Sequence, residues 1–349
     1  MTGNKIILED LQYIIEAPVD WTRLSGKTIL ISGANGFLPA YMVETLLFLY
    51  KKRIIQDVKV LALVRNLEKA KSRFKYYLNY ANLEFIVQDV CDPVNVDQKI
   101  DLIIHAASQA SPKYYGIDPV GTLRANTVGT INMMKLAQSN PVESFLYFSS
   151  SEVYGLLDEN KIPTTEIDFG YIDPTNVRSC YAESKRMGET ICVSWLSQYG
   201  IPVKIIRPFH TYGPGMALDD GRVYADFIAD VVNNRNIIMK SDGSARRAFC
   251  YLSDITIASF IILLNGKNGE AYNVGNPECE LSIIDLARRL VELFPQKGLK
   301  IIKNEIQDSG YIKSKVSRNC PDISKIKEFG WMPNVNIDNG FMRTILSYE

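Results

Sequence analysis

The chain has 349 residues, of which 46% are hydrophobic and 22% are charged, as in an ordinary soluble globular protein. That length suits one large α/β domain with a smaller partner. The 39 basic residues balance 39 acidic ones, so no overall field attracts nucleic acid or an anionic membrane, and neither is an expected partner.

Metal sites, disulfides and membrane segments are not indicated. Six cysteines are scattered without CxxC spacing, and His105 and His210 are the two histidines of the sequence, which argues against a disulfide framework and a metal centre. The first 20 residues lack the basic and apolar regions of a signal peptide. No run reaches the roughly 18 apolar residues of a membrane span. We therefore expect a cytoplasmic protein.

Residues 1–25 form an amphipathic extension with a predicted short helix near Leu8–Ile15. A dimer or lid contact is one interpretation of this extension, and simple packing on the first domain is the preferred one. Thr28–Ser32 is an apolar run bounded by Gly26 and Gly33. Such a run predicts a buried parallel strand.

A glycine-rich turn follows this strand and opens an apolar helix that we expect over Leu38–Tyr50. Glycines allow the backbone to approach a pyrophosphate, and the helix N-terminus supplies amide donors, so the order strand, turn, helix predicts dinucleotide binding. Pro39 stands where the GxxGxxG pattern has its third glycine, and a first helical turn tolerates proline. The candidate cofactor residues of the turn are Gly33, Asn35, Gly36, Phe37 and Leu38.

Further apolar runs alternate with helical segments, which predicts an α/β, Rossmann-type doubly wound parallel sheet. The expected strands are Val58–Val64, Leu83–Asp89, Asp101–His105, Ser144–Ser149 and Val203–Arg207. Residues 26–207 are the predicted dinucleotide-binding domain. Residues 208–349 are mainly a smaller α/β substrate domain, interleaved with late Rossmann elements. Its expected elements are strands near Asn236–Met239, Ala248–Tyr251 and Ala271–Asn273 and a helix over Leu281–Phe294.

The second strand ends in Arg65, where an NAD site usually has an acid that accepts from the adenosine ribose. An arginine there can pair with a 2′-phosphate. The sequence thus leaves NAD and NADP both open and favours NADP slightly.

Tyr181 and Lys185 are four residues apart and face the same side of a predicted helix. A lysine ammonium favours the phenolate and can lower the pKa of the phenol. Such a phenolate can take a proton from a sugar hydroxyl while a nicotinamide takes the hydride.

The order of the glycine turn, Ser149-Ser-Ser-Glu152, Tyr181-x-x-x-Lys185 and Arg207-Pro-Phe-His210 resembles the extended short-chain dehydrogenase/reductase family of nucleotide-sugar epimerases, dehydratases and decarboxylases. The resemblance implies a tightly bound, recycled nicotinamide and a homodimer formed through two helices. Besides the turn and Arg65, it places at the cofactor Asp89, Val90, Ala106, Ala107, Ser108, Asn126, Tyr181, Lys185, Pro208 and His210.

Ser151-Glu152 stands where thymidine-sugar 4,6-dehydratases carry Asp-Glu, whereas UDP-glucuronate decarboxylases and GDP-mannose 4,6-dehydratases carry Ser-Glu. The segments 107–115, 171–181, 219–223 and 245–249 are similar to those of the decarboxylases. The residues that this similarity implies at the substrate, which we expect to be UDP-linked, are Gln109, Arg178, Arg222, Arg247 and Arg318.

The predicted catalytic residues are Ser150, Ser151, Glu152, Tyr181 and Lys185. The expected reaction oxidises a hexose at C4 and decarboxylates UDP-glucuronate to UDP-xylose. A 4,6-dehydratase and a 4-epimerase remain open, and so does a non-catalytic NADP-sensing scaffold on the same fold.

Overall fold

A computed structural model describes residues 3–303 and 316–349. The strands are β1 Thr28–Ser32, β2 Lys59–Val64, β3 Leu83–Val87, β4 Leu102–His105, β5 Ser144–Phe148, β6 Val203–Pro208, β7 Thr211–Tyr212, β8 Ile237–Met239, β9 Arg246–Ala248, β10 Cys250–Tyr251, β11 Ala271–Val274, β12 Glu280–Ser282, β13 Ile301–Lys303 and β14 Arg318–Asn319. The helices are α1 Lys5–Ile15, α2 Phe37–Lys51, α3 Leu67–Arg73, α4 Lys113–Ile117, α5 Pro119–Ser139, α6 Ser179–Tyr199, α7 Val223–Val232, α8 Leu252–Asn265, α9 Ile283–Leu293, α10 Ser324–Lys327 and α11 Ile337–Leu346.

A seven-stranded parallel sheet forms the centre, in the order β11-β6-β5-β4-β1-β2-β3. One core packs α1, α2 and α8 on the sheet, and a second core packs α5 and α6. The predicted doubly wound sheet is therefore confirmed. Its strand order reverses between β1 and β4, and ligands bind beyond the carboxyl ends of the strands at such a point.

The N-terminal extension is part of the main core. Asn4 caps α1 because its Oδ1 accepts from the amides of Ile6 and Ile7 at 3.0 and 3.2 Å, so the helix begins a turn earlier than predicted. Asp10 is buried and accepts from Arg343 Nη2 at 2.7 Å. The Asp10 carboxylate also accepts from two tyrosine hydroxyls, one on α2 and one on β10. The structure thus agrees with the interpretation of simple packing.

Beyond β6 the chain alternates between the large sheet and a smaller layer. Strands β12, β9 and β14 form one small sheet, β13 pairs with β8, and β10 pairs with β7. Helices α7, α9 and α11 cover a separate core. None of the helices in the described ranges is long and apolar enough to cross a bilayer.

The structure of this region differs from the predictions at three points. The single strand expected over Ala248–Tyr251 is interrupted at Phe249, and its halves β9 and β10 belong to different sheets. Helix α8 was not predicted, because Leu252–Leu263 is buried on all sides and such a segment shows no helical periodicity. The helix expected from Leu281 begins at Ile283, because Ser282 caps it through the amide of Asp285 at 3.1 Å.

Candidate active site

The glycine turn lies against the segment that follows β4. Gly33 has φ +67°, and a Cβ there would lie 2.8 Å from Ala107 Cα. Gly36 caps α2 without a side-chain hydrogen bond within the described structure, and Pro39 lies in the first helical turn as predicted. The first amides of α2 therefore face the carboxyl edge of the sheet, where they fit a diphosphate.

Ser32 holds the turn after β4 in place. Its Oγ accepts from the amides of Ala106 and Ala107 at 3.1 and 3.2 Å and lies 2.7 Å from Nδ1 of His105. The other ring nitrogen of His105 lies 3.1 Å from Thr130 Oγ1. Burial lowers the pKa of His105 to about 3, so the ring is a neutral structural group. Ser32 was not predicted as a site residue, because its contact depends on the pairing of β1 with β4.

Several buried polar atoms beside this turn lack a partner within residues 3–303 and 316–349. They are Ser108 Oγ, Gln109 Oε1 and Asn126 Oδ1. Buried polar atoms without hydrogen bonds are costly, so a native protein needs a reason to keep them. A polar ligand along the turn supplies that reason, and a dinucleotide fits the donor and acceptor set.

The end of β2 carries an ion pair. Arg65 Nη1 lies 3.7 Å from Asp89 Oδ2, and the other Asp89 oxygen accepts from the amide of Cys91 at 2.8 Å. Burial raises the pKa of Asp89, but the Cys91 hydrogen bonds and the charge of Arg65 outweigh it and hold the pKa below its ordinary value. Val90, next to Asp89, is buried. The ion pair places a negative charge beside Arg65, so the geometry leaves NAD and NADP both open.

Lys185 is buried below the carboxyl end of β5. Its Nζ donates to the carbonyl of Phe148 at 2.6 Å and lies 5.9 Å from the ring centroid of Tyr181. Burial lowers the pKa of Lys185 to about 7, against the opposing charges of Cys192 and Glu189. Burial therefore favours the neutral amine of this lysine more than water does.

Tyr181 is buried, and Tyr115 stacks on it with ring centroids 5.2 Å apart and planes 16° apart. Burial raises the pKa of Tyr181, and a hydrogen bond with Ser150 and the charge of Arg222 oppose that rise. The net direction is opposite to the sequence-based expectation, which considered the lysine charge and not the loss of solvent. Lys185 is not among the main influences on this phenol.

Ser150 connects the phenol to Glu152. Besides its bond with Tyr181, its Oγ accepts from the amide of Glu152 at 3.2 Å. The Glu152 carboxylate accepts from Arg178 Nη1 at 3.3 Å. Ser150 thus lies between the Tyr181 phenol and the backbone of Glu152. A small cavity next to them is lined by Ser151, Glu152, Gly155, His210, Arg247, Val316 and Asn319.

His210 faces this cavity. Its Nε2 is buried without a partner in the described part of the chain, and burial, with the charges of Arg247 and Arg222, lowers its pKa well below the ordinary value. The structure therefore places a neutral imidazole beside Ser151 and Glu152. Asn319 lines the same cavity, and its buried Oδ1 has no partner among residues 3–303 and 316–349; it was not predicted from the sequence. Pro208 ends β6 near the same edge.

The other predicted substrate arginines lie around the pocket with different partners. Arg222 donates to the carbonyl of Ala110 at 2.9 Å and pairs with Asp220 at 2.9 Å. Arg247 lines the cavity. Arg318 is held by Glu280 through Nε and Nη2 at 2.7 and 2.9 Å, so a substrate contact by this arginine would use Nη1, which lies 3.5 Å from the carbonyl of Ile162.

Comparison with known proteins identifies the family of the chain. The model of the NAD dependent epimerase/dehydratase family matches residues 29–275. The chain belongs to this family. UDP-glucuronic acid decarboxylase 6 of Arabidopsis thaliana is 36% identical over 318 residues, which cover 90% of this chain and 87% of that relative. UDP-glucuronic acid decarboxylase 1 of Xenopus tropicalis is 34% identical, with 91% of this chain and 71% of that protein covered.

A crystal structure of UDP-glucuronic acid 4-epimerase from Bacillus cereus, in complex with UDP-glucuronic acid and NAD, is similar with a TM-score of 0.75. It is 22% identical, and the match covers 92% of this chain and 98% of that one. This likeness supports the fold. Beyond the carboxyl end of β5 the chain brings together a phenol, a lysine and a carboxylate, from Tyr181, Lys185 and Glu152, and such groups can take up and release protons. The described residues contain no cluster of His, Cys, Asp or Glu that could hold a metal.

Proposed function

We propose that this family member decarboxylates UDP-glucuronate to UDP-xylose with a recycled nicotinamide. The observation that carries the proposal is Ser150, whose hydroxyl contacts both the Tyr181 phenol and the amide of Glu152. One serine thus contacts the phenol suited to C4 and fixes the backbone of Glu152, whose carboxylate is suited to C5. The relatives named UDP-glucuronic acid decarboxylases, at 36% and 34% identity, support the substrate.

The first step is oxidation at C4. Tyr181 takes the proton of the C4 hydroxyl, and Ser150 donates a hydrogen bond to the same oxygen. A nicotinamide held along the glycine turn would supply the acceptor for the C4 hydride and the donor for its return. Lys185, with its pKa near 7, can pass protons below the tyrosine at neutral pH. The buried atoms of Ser108 and Asn126, which lack a partner among the described residues, would hold the dinucleotide, and Gln109 would contact the substrate.

The second step uses the new C4 ketone. It makes the C5 carboxylate a β-keto acid, so the C5–C6 bond can break with its electrons flowing toward the ketone oxygen while CO₂ leaves. Ser151 and Glu152 would lie at C5 and its carboxylate, and a proton then adds to C5. Reduction at C4, with the proton returned by Tyr181, gives the pentose.

Proton NMR with UDP-glucuronate in D₂O tests the proposal. We expect UDP-xylose with deuterium at C5, and we expect no product from Tyr181→Phe, which keeps the ring and loses the hydroxyl. UDP-galacturonate would instead identify an epimerase, and a 4-keto-6-deoxy product from UDP-glucose a dehydratase. Absence of turnover would contradict the proposal and lead to GDP-, CDP- and dTDP-hexoses.

The identity of the nicotinamide has its own test. Arg65 can pair with a 2′-phosphate, whereas Asp89, its present partner, can accept from a ribose hydroxyl. Denaturing the purified protein and identifying the released dinucleotide by mass spectrometry distinguishes NAD from NADP.

We also propose a homodimer formed through α5 and α6. These helices leave exposed apolar side chains on the outer surface, among them Val120 at 63%, Leu123 at 39% and Met187 at 51% exposure. Exposed apolar surface on adjacent helices suits an interface. Analytical ultracentrifugation should show a dimer that Leu123→Glu weakens, and a wild-type monomer at working concentrations would contradict it.

A further inference from the structure

Arg178 contacts both the Glu152 carboxylate and the ring of Tyr115. Arg178 precedes α6, and its side chain is 21% exposed. Its Nη1 donates to the carboxylate of Glu152 at 3.3 Å. Its guanidinium also lies over the ring of Tyr115, with the central carbon 5.9 Å from the ring centroid.

Tyr115 is itself fixed. Its hydroxyl donates to the carbonyl of Ala110 at 3.0 Å, and its ring stacks on Tyr181. The guanidinium therefore rests on an aromatic pair that includes the phenol, while its other side reaches the carboxylate. The contacts run without a gap from Tyr181 through Tyr115 and Arg178 to Glu152.

We propose that Arg178 is a positioning residue, which holds the Glu152 carboxylate at a fixed place relative to the Tyr181 phenol. This inference rests on the proposed function, in which Tyr181 acts at C4 and Glu152 at C5. The two atoms of the sugar are neighbours, so the two protein groups must keep a matching separation. A misplacement of about 1 Å can lower a rate by roughly 10²-fold. The sequence analysis had placed Arg178 at the substrate instead.

The two roles predict different kinetics. If Arg178 bound the carboxylate of the sugar, its removal would raise KM for UDP-glucuronate. A positioning residue for Glu152 leaves KM nearly unchanged and lowers kcat at the step after C4 oxidation. That step then becomes slow, so reduced nicotinamide accumulates during turnover.

The experiment compares holoenzyme variants Arg178→Gln, Arg178→Lys, Glu152→Gln and the double variant Arg178→Gln/Glu152→Gln. For Arg178→Gln we expect kcat to fall roughly 10²-fold, with KM within about threefold, and an increase in the absorbance of reduced nicotinamide. Arg178→Lys keeps the charge and should recover part of kcat. The double variant should be no slower than Glu152→Gln, because the arginine acts through that carboxylate.

Arg288→Gln is the matched control, since Arg288 pairs with Asp285 on the exposed surface of α9. A large rise in KM for Arg178→Gln, or additive losses in the double variant, would overturn the inference. So would equal slowing of C4 oxidation and of the later step, which indicates general damage to the fold.

Wild-type turnover in the same samples tests the proposed function separately. If the wild type gives a 4-keto-6-deoxy product, decarboxylation is wrong, and the same double-variant comparison on that product still decides the role of Arg178 at C5. A wild type that turns over no nucleotide sugar overturns the proposed function and the role of Arg178 with it.

Discussion

Two buried lysines at opposite edges of the large sheet show what makes one of them a candidate for catalysis. Lys185, at the carboxyl edge, is 3% exposed, and Lys204, at the amino edge in β6, is 6% exposed. Burial lowers their pKa values to about 7 and about 8. In solvent exclusion and in the direction of the pKa shift the two side chains are alike.

Their neighbours differ. Lys204 donates to Ser144 Oγ at 2.9 Å and to the carbonyl of Pro202 at 3.3 Å. Its ammonium therefore binds polar groups where β5 and β6 begin. Lys185 lies below Tyr181 and a pocket with a carboxylate. At both places the lowered pKa is therefore a consequence of burial. The neighbouring groups determine whether the lysine can take part in catalysis.

The strongest test of this comparison exchanges each lysine for methionine. Lys185→Met should lower kcat by roughly 10²–10⁴-fold, the range for loss of a group in acid–base catalysis. Lys204→Met should keep wild-type turnover. Steady-state rates, corrected for bound nicotinamide, measure both, and equal losses in the two variants would contradict the distinction between the edges.

Gly33 tests how strictly the carboxyl edge is packed. Gly33→Ala places a Cβ 2.8 Å from Ala107 Cα and also strains a φ of +67°, so we expect dinucleotide affinity to fall at least tenfold and stability to fall. Gly26→Ala is the matched control, because Gly26 has φ +70° and nothing within 4 Å of the added atom. Backbone strain alone costs about 1–3 kcal/mol.

The extra loss of affinity and stability in Gly33→Ala, relative to Gly26→Ala, measures the contact with the turn after β4. Fluorescence titration with the dinucleotide and urea unfolding give the two values. Equal losses at both glycines would show that the close approach to Ala107 has no role in binding.

The lowered pKa of Lys204 predicts a dependence of stability on pH. The pKa of Lys204 is about 8 in the folded chain and 10.5 for the free side chain. Between these two pH values the unfolded chain therefore binds more protons than the folded one. The free energy of unfolding therefore rises with pH through this window. This increase is lost again as the pH falls through the folded pKa. The gain is about 3 kcal/mol, at about 1.4 kcal/mol for each pKa unit.

Lys204→Met removes this contribution. Urea unfolding of both proteins at several values across the window should show the wild type gaining on the variant as pH rises. A constant difference between them would contradict the burial of a charged lysine at the amino edge.

Ser32→Ala should have the smallest effect. It removes an oxygen that accepts from the amides of Ala106 and Ala107, and unsatisfied buried groups cost about 1–3 kcal/mol. Urea unfolding should show that loss with dinucleotide affinity reduced less than in Gly33→Ala. A larger loss of affinity than in Gly33→Ala would mean that the hydroxyl itself binds the dinucleotide.

The local signals in the sequence were sufficient for the Rossmann-type sheet. Its first six strands are apolar runs next to glycines or helices, and the glycine turn and the Tyr181–Lys185 pair are patterns of adjacent residues. The roles assigned to the site residues remain predictions. Helix α8 was not predicted because it is buried on all sides. Asn319 was not predicted because it reaches the cavity from β14, far along the chain.

The parallel sheet, the glycine turn and the helix that carries Tyr181 and Lys185 could be predicted, since each depends on residues close in the chain. The raised pKa of Tyr181, the pairing of Arg178 with Glu152 and the bonds of Arg318 with Glu280 could not. These properties depend on solvent exclusion and on contacts between distant segments, and both arise only when the strands and helices pack together.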